Sequence, residues 1–174
     1  MNYPLIALLT LETHGRDFNT DHIADQWLKL LPAGRVFTAE RVVYKNLLDG
    51  TAPSEAGGIS NPFKEWIGAL IRADLYGWIN PGNPKLAAQM AHRDAFLSHR
   101  RNGLYGAAMS AAMNAVAMVS TNIDEVIDAG MAVLPLESAI YTACRLAREL
   151  GNSDLEYELA LDTLYEHVDG MHWV

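Results

Sequence analysis

Apolar residues recur at helical spacing along nearly the whole chain, and no long stretch alternates apolar and polar residues every two positions. A period of three to four residues is typical of amphipathic α-helices, whereas strict alternation would indicate strands. The chain contains no internal repeat, no low-complexity tract and no long heptad seam. The pattern therefore predicts an all-α fold, a compact multi-helix bundle that forms a single domain over residues 1–174.

Capping residues predict where the first three helices begin and end. Leu5 and Leu8 belong to the first helix, which Gly15 can end in a left-handed backbone conformation. Thr20 is predicted to cap the second helix and Thr38 the third. The inner faces predicted for the second and third helices are Ile23, Trp27, Leu30 and Leu31, ahead of Pro32, and Val42, Val43 and Leu47.

The middle of the chain combines one long loop with two matching helix starts. Residues 49–60 are predicted to be structureless, and a loop of that length is more often functional or mobile than idle. After it, Asn61 with Pro62 and Asn83 with Pro84 each place a capping residue before a proline at the first helical position. We therefore expect a helix after each pair, the first of which would include residues 66–74.

Four further helices are predicted in the last part of the chain, near residues 102–119, 122–133, 137–150 and 153–168. The first of them is so rich in Gly and Ala that neighbours can approach closely, which favours a central position. Ser153 and Glu156 have the spacing of a capping box at the start of the last helix. The apolar stripe predicted for that helix is Leu155, Leu159, Leu164 and Val168.

Composition narrows the class of protein. The chain has 13 Lys and Arg against 21 Asp and Glu, a net charge of −8, which argues against general nucleic-acid binding. No membrane-spanning segment and no secretory signal is expected, and a single cysteine cannot form an internal disulfide. We therefore predict a cytoplasmic protein. Cys144 lies among small and apolar residues and is interpreted as a packed small hydrophobe.

A local cluster of basic residues stands out in this acidic chain. Residues 92–101 contain two histidines and three arginines just before the helix predicted to begin near Asn102. Guanidinium groups beside a helix N-terminus would suit a phosphate group. The alternative interpretation is a solvated turn whose arginines pair with the acidic surface, and spacing alone favours this alternative.

Arg72 and Asp74 form a second polar grouping within an apolar stretch, and Gly68 nearby permits close approach of another group. A buried arginine and a buried aspartate must be paired or bound to a ligand. Spacing favours an ion pair between them. No Ser/His/Asp or Cys/His pattern predicts a nucleophile, and His92 and His99 have no third ligand at zinc-site spacing.

With these groupings in view, the sequence resembles the ADP-ribosylglycohydrolase family, in particular one bacterial branch. The similar segments are LETHGRD (residues 11–17), TAERV (38–42), NPFKEWIGA (61–69), IRAD (71–74), PGNP (81–84) and SHRRNGLYG (98–106). The resemblance covers essentially the whole chain. It implies an all-helical hydrolase that cleaves the glycosidic bond of ADP-ribose at a pair of magnesium ions, with ADP-ribose or an ADP-ribosylated substrate as its partner.

The resemblance also implies individual site residues. Gly68, Ala69 and Arg72 match the glycine-bearing segment that lines the ADP-ribose pocket in the family. Ser98 and His99 match a Ser/Thr-His segment beside the same pocket. The ligand-binding candidates are therefore Gly68, Ala69, Arg72, Ser98, His99, Asn102 and Gly103, of which the last two follow the branch's own pattern. No residue is assigned a catalytic or metal-binding role.

Three acidic motifs of the family have no match among the 174 residues: an early Gly-Asp-Ala-x-Gly segment, a Thr/Asp-rich metal motif and a late Asp-Thr-Asp motif. Magnesium needs such oxygen ligands. We therefore expect a fold truncated at both ends that does not hold Mg²⁺ by itself. The alternative to a hydrolase is a non-catalytic helical module, and apolar surface left uncovered would make it a homo-oligomer.

Overall fold

The computed structural model describes residues 2–168, and all regular structure in that range is helical. The ten α-helices described are α1 (Asn2–His14), α2 (Thr20–Leu30), α3 (Thr38–Leu48), α4 (Pro53–Ala56), α5 (Asp74–Trp78), α6 (Pro84–Ala95), α7 (Arg101–Ala117), α8 (Ile123–Met131), α9 (Ala139–Gly151) and α10 (Tyr157–His167). Single turns of 3₁₀ helix lie at Gly15–Asp17, Ala33–Arg35 and Leu70–Arg72. The prediction of an all-α fold is confirmed.

Helix α7 lies at the centre of the described structure and packs against α5, α6, α8 and α9. Small residues make this possible, because they let helix backbones approach each other. A Cβ atom on Gly77 of α5 would lie 2.3 Å from Cβ of Asn114 and 2.8 Å from the carbonyl oxygen of Ala111. The prediction of a central small-residue helix is therefore confirmed.

The main hydrophobic core lies where α1, α2 and α3 meet α5, α6 and α7. Its largest fully buried apolar side chains are Trp27, Tyr76, Phe18, Ile23, Met90 and Leu97. The inner face predicted for α2 is correct at Ile23, Trp27 and Leu31 but wrong at Leu30, which is exposed. Leu31 has already left the helix in an extended conformation and turns inward in its place.

Several helix ends differ from the capping predictions. The cap of α2 is Asn19, whose side chain accepts a hydrogen bond from the His22 N–H, and Thr20 is the first helical residue. Phe37 precedes α3 without any side-chain cap. Asn83 does cap α6, with Pro84 at its first position, as predicted. Gly15 has the predicted left-handed backbone, with φ of +68°.

Asn61 does not begin a helix, which corrects the prediction from the Asn-Pro pair. Its amide nitrogen instead donates hydrogen bonds to the carbonyl oxygens of Ala39, Gly57 and Ser98, at 3.4, 3.2 and 3.1 Å. The segment after it runs through turns to the 3₁₀ turn Leu70–Arg72. The side chain that would have capped a helix therefore joins three separate segments, and residues 66–74 are not one helix.

Two further predictions need correction. Residues 49–60 are not structureless, since they contain the short helix α4. The last helix begins at Tyr157, not at Ser153, and the hydroxyl of Ser153 accepts from the Leu155 N–H in a local turn instead of forming a capping box. Leu155 and Leu159 are exposed, and only Leu164 and Val168 of the predicted stripe are partly buried. No helix within residues 2–168 has the length and apolar character needed to cross a membrane.

Candidate functional site

The strongest polar feature of the structure is the buried guanidinium group of Arg72. One of its nitrogens lies 2.7 Å from Oε1 of Glu40, and the other lies 3.1 Å from Oδ1 of Asp94. All three side chains are almost completely buried. A buried charge is tolerated only when it is paired and hydrogen-bonded, and here one cation bridges two carboxylates. The predicted pairing of Arg72 with Asp74 is therefore wrong.

Aromatic rings enclose the same guanidinium. The rings of Tyr3 and Trp27 each lie with their centres 5.0 Å from its central carbon, within the range of cation–π attraction. Burial disfavours the charged form of Arg72, but the neighbouring carboxylates of Asp94 and Glu40 outweigh it and raise the pKa. Burial and then the Glu40 carboxylate raise the pKa of Tyr3, so its hydroxyl stays protonated.

A chain of hydrogen bonds extends this cluster from Arg72 toward α7. The Tyr76 hydroxyl donates to Oδ2 of Asp94 at 2.8 Å, and Arg72 also donates to Oγ of Ser98 at 3.0 Å. Oγ of Ser98 lies 2.7 Å from Nδ1 of His99. These hydrogen bonds connect two of the predicted site residues, Ser98 and His99, to Arg72. Both side chains are fully buried, and neither lines the cleft described below.

His99 is the least satisfied member of this cluster. Its Nε2 atom is buried and has no hydrogen-bond partner among the described residues. Burial and, to a smaller extent, the nearby charges of Arg72 and Arg100 together lower the pKa of its imidazole to about 3. The ring is therefore neutral at physiological pH and cannot contribute a positive charge to an anion site.

An open cleft of about 490 Å³ lies directly above Arg72. Its walls are mainly apolar and include two aromatic side chains besides Tyr3. The wall residues are Tyr3, Pro4, Phe37, Thr38, Trp66, Ile67, Gly68 and Ile71. Glu40 and Arg72 form its polar floor. A concave apolar pocket with a small number of fixed polar groups is the usual form of a small-molecule site.

Gly68 lies at the contact between the cleft wall and its floor. A Cβ atom at this position would be 2.5 Å from Oε1 and 3.1 Å from Oε2 of Glu40. The absence of a side chain therefore leaves room for the carboxylate that holds Arg72. The sequence analysis correctly predicted a close approach at Gly68 but did not identify Glu40 as the group that approaches. Ala69 is buried beside it and contributes to the core.

Asn102 and Gly103 lie at the start of α7, where they contact residues of the loop that carries Gly68. The side-chain amide of Asn102 donates to Oε2 of Glu65 at 2.8 Å and accepts from the Ile140 N–H. A Cβ on Gly103 would lie 2.7 Å from the carbonyl oxygen of Lys64. These two residues hold residues 62–69 against α7, and neither of them lines the cleft.

The basic cluster at residues 92–101 does not form one cationic surface. Arg100 donates to the carbonyl oxygens of Ser54, Phe96 and His99 and so serves as a structural anchor. Arg101 pairs with Glu65 at 3.5 Å, and the Glu65 carboxylate also accepts from the N–H of Asn102. An acidic side chain thus occupies the N-terminus of α7, which argues against a phosphate site there and agrees with the favoured interpretation, in which arginines of this turn pair with acidic residues.

Glu40 is the most important of the site residues that the sequence did not predict. It lies in the segment TAERV, which carried the family resemblance, but its position on a polar stretch of α3 predicts exposure. The cleft residues Tyr3 and Phe37 were missed as well, because nothing in their local pattern distinguishes them from core aromatics. The one relevant signal in the sequence is the glycine at position 68. It predicts that another group approaches closely, but it does not identify Glu40 as that group.

The described residues form an all-α fold with a pocket of the size that takes a small organic ligand. A family model described as ADP-ribosylglycohydrolase matches residues 4–174 of the chain. The chain therefore belongs to the ADP-ribosylglycohydrolase family, a family of hydrolases that act on ADP-ribosylated substrates. No curated protein and no solved structure matches it.

Members of this family are generally metal-dependent, so the donor set of the site matters. Within residues 2–168, no three side chains of His, Cys, Asp or Glu converge in a way that could hold a metal ion. Glu40 and Asp94, the carboxylates closest to the cleft floor, are both bound to the guanidinium of Arg72. Magnesium would need those oxygens free. The described residues therefore do not fit a magnesium centre.

Proposed function

We propose that the cleft above Arg72 binds the ADP-ribosyl group of a substrate, as the binding step of the family's hydrolysis of an ADP-ribosyl glycosidic bond. The observation that carries the proposal is the pairing of one exposed aromatic wall residue, Phe37, with a rigid polar floor. Phe37 is 68% exposed and offers a flat apolar face of the kind that stacks against a purine base. Tyr3, Glu40 and Arg72 hold the floor in one geometry.

The chain's own residues bind and orient the substrate in this proposal. The ion pairs of Arg72 with Glu40 and Asp94 fix the loop that carries Gly68, so the cleft floor is preorganised before any ligand arrives. The apolar walls exclude water from the bound group. Metal chemistry that the family's reaction requires is not assigned to any residue of 2–168.

Calorimetric titration with ADP-ribose tests this function. Phe37→Ala is expected to weaken binding about tenfold, because a ring face worth roughly 1.4 kcal/mol of contact is removed. Leu48→Ala is the matched control, since Leu48 is 67% exposed and Phe37 68%, and Leu48 does not line the cleft. Affinity is expected to be the same in Mg²⁺ and in EDTA. No binding in either buffer would contradict the proposal.

A second candidate function, a self-associating helical module, is favoured by helix α1. Ile6, Ala7 and Thr10 face the core, yet Leu5 and Leu8 on the other side are 57% and 40% exposed. A helix that is apolar all round is normally buried all round. We propose that a second copy of the chain covers this outer face.

Sedimentation velocity separates this candidate from a monomer. The chain is expected to sediment as a dimer at micromolar concentration, and Leu5→Glu combined with Leu8→Glu is expected to make it monomeric. Leu30→Glu, at an exposed leucine of α2, is the control and should leave the dimer intact. If the unsubstituted chain sediments as a monomer, the proposal of a self-associating module is contradicted. That result would not bear on the proposal of ADP-ribose binding.

A further inference from the structure

The groove between α7, α8 and α9 brings together sulfur atoms from distant parts of the chain. It has a volume of about 430 Å³ and lies apart from the cleft above Arg72, with which it shares no lining residue. Met109 and Met113 of α7, Met131 of α8 and Cys144 of α9 all line it. The chain has seven methionines and one cysteine, so half of its sulfur atoms face one groove.

Two of these sulfur atoms are already in contact. Sγ of Cys144 lies 3.8 Å from Sδ of Met109, and the thiol donates toward the thioether. Two sulfurs at that separation would subtend an angle of roughly 110° at a metal ion bonded to each at about 2.3 Å, a typical metal–sulfur length. A small soft cation bonded to both sulfurs would therefore replace the thiol proton.

A third sulfur-bearing side chain, that of Met113, lines the same groove as this pair. Met109 and Met113 are one helical turn apart on α7, and both reach over Gly130. A Cβ on Gly130 would lie 2.9 Å from Sδ of Met113 and 3.1 Å from Cγ of Met109. Gly130 thus leaves room for the side chains of both methionines, which line the same groove as Cys144.

We propose that Cys144, Met109 and Met113 form a binding site for monovalent copper, Cu(I). Thiolate and thioether sulfurs are soft ligands that select Cu(I) over harder cations. Binding forms a bond from copper to Sγ of Cys144, and the thiol proton leaves to solvent. One thiolate and one monovalent cation give a neutral centre, which suits a groove lined by Ile127 and Ala147.

The mouth of the groove favours entry of a cation. Asp124 and Arg148 line it, and Arg148 pairs with both Asp124 and Asp128. Two carboxylates against one guanidinium leave a net negative charge at the opening, and such a charge raises the local concentration of cations.

Anaerobic titration of the reduced chain with Cu(I), in competition with a chromogenic Cu(I) chelator, tests the site. One equivalent is expected to bind. Met109→Leu and Met113→Leu are each expected to weaken binding at least tenfold, and Cys144→Ser at least a hundredfold. Met118→Leu is the matched control, because Met118 follows α7, is 54% exposed and does not line the groove.

X-ray absorption at the copper edge of the unsubstituted chain gives a test that does not depend on any variant folding. Three sulfur neighbours at about 2.3 Å are expected. A first shell of nitrogen or oxygen, or a Met109→Leu variant that binds Cu(I) as tightly as the unsubstituted chain, would overturn the proposal. In the second case the thiolate alone would hold the metal. Neither result bears on ADP-ribose binding.

Discussion

Replacement of Arg72 by methionine is expected to lower the free energy of unfolding by about 3–5 kcal/mol, the usual cost of removing one partner from a buried ion pair. Methionine fills much of the volume but leaves the carboxylates of Glu40 and Asp94 buried without a counter-charge. Urea denaturation followed by circular dichroism measures the loss. Arg41→Met is the matched control, because Arg41 is exposed on the same helix as Glu40, and its effect should lie within about 0.5 kcal/mol of zero.

A triple variant distinguishes charge from packing in this cluster. When Glu40→Gln and Asp94→Asn accompany Arg72→Met, the buried groups are neutral and the stranded charge is gone. We expect the triple variant to be more stable than Arg72→Met alone, since replacing a whole buried ionic cluster costs less than breaking it. Equal stability of the two variants would show that the guanidinium acts through its packing against Tyr3 and Trp27.

Replacement of Gly103 by alanine is expected to lower the free energy of unfolding by about 1–3 kcal/mol, the range for overpacking a well-filled interior. The added Cβ would lie 2.7 Å from the carbonyl oxygen of Lys64, 2.9 Å from Cδ2 of His99 and 3.0 Å from the carbonyl carbon of Glu65. Two of these three atoms belong to backbone, which cannot move aside without shifting the loop that forms the cleft wall. Thermal unfolding measures the effect.

Gly106→Ala provides the control for this substitution on the same helix. Its Cβ would meet Cδ1 of Leu70 at 3.0 Å, the end of a flexible side chain that can rotate away. Alanine also improves helix propensity by up to about 1 kcal/mol. The variant is therefore expected to be as stable as the original chain or slightly more so. An equal loss at Gly103 and Gly106 would contradict the argument from backbone contact.

Much of the helical framework could be predicted from local pattern. The apolar periodicity of α2 placed Ile23 and Trp27 in the core, and the cap and proline at Asn83 and Pro84 identified the start of α6. The concentration of small residues indicated the central position of α7. Each of these features depends on residues that lie within one or two helical turns of each other. They can therefore be predicted without knowledge of the tertiary structure.

The failures of prediction have a different origin. Asn61 was expected to cap a helix, because an Asn-Pro pair normally does so. Its side-chain amide instead donates hydrogen bonds to the carbonyl oxygens of Ala39 and Ser98, which lie 22 and 37 residues away in the sequence. Arg72 was expected to pair with its neighbour Asp74, which instead accepts hydrogen bonds from Ser110 and Asn114 of α7.

The candidate site could be predicted only in part. The family resemblance identified Gly68, Arg72, Ser98 and His99, and the structure brings these residues together around one guanidinium. It did not identify Glu40, although that carboxylate completes the cluster. The apolar walls of the cleft come from three separate segments, and no local pattern relates Phe37 to Trp66.

The helical class, most helix positions, the net negative charge and the family of the chain can all be read from the sequence. Which charges are buried, and what they bind, depends on the tertiary structure. Arg72 meets Glu40 across 32 residues and Asp94 across 22. A helix forms from contacts near in sequence, whereas a buried charge must find its partner wherever packing excludes water, and that is a property of the whole fold.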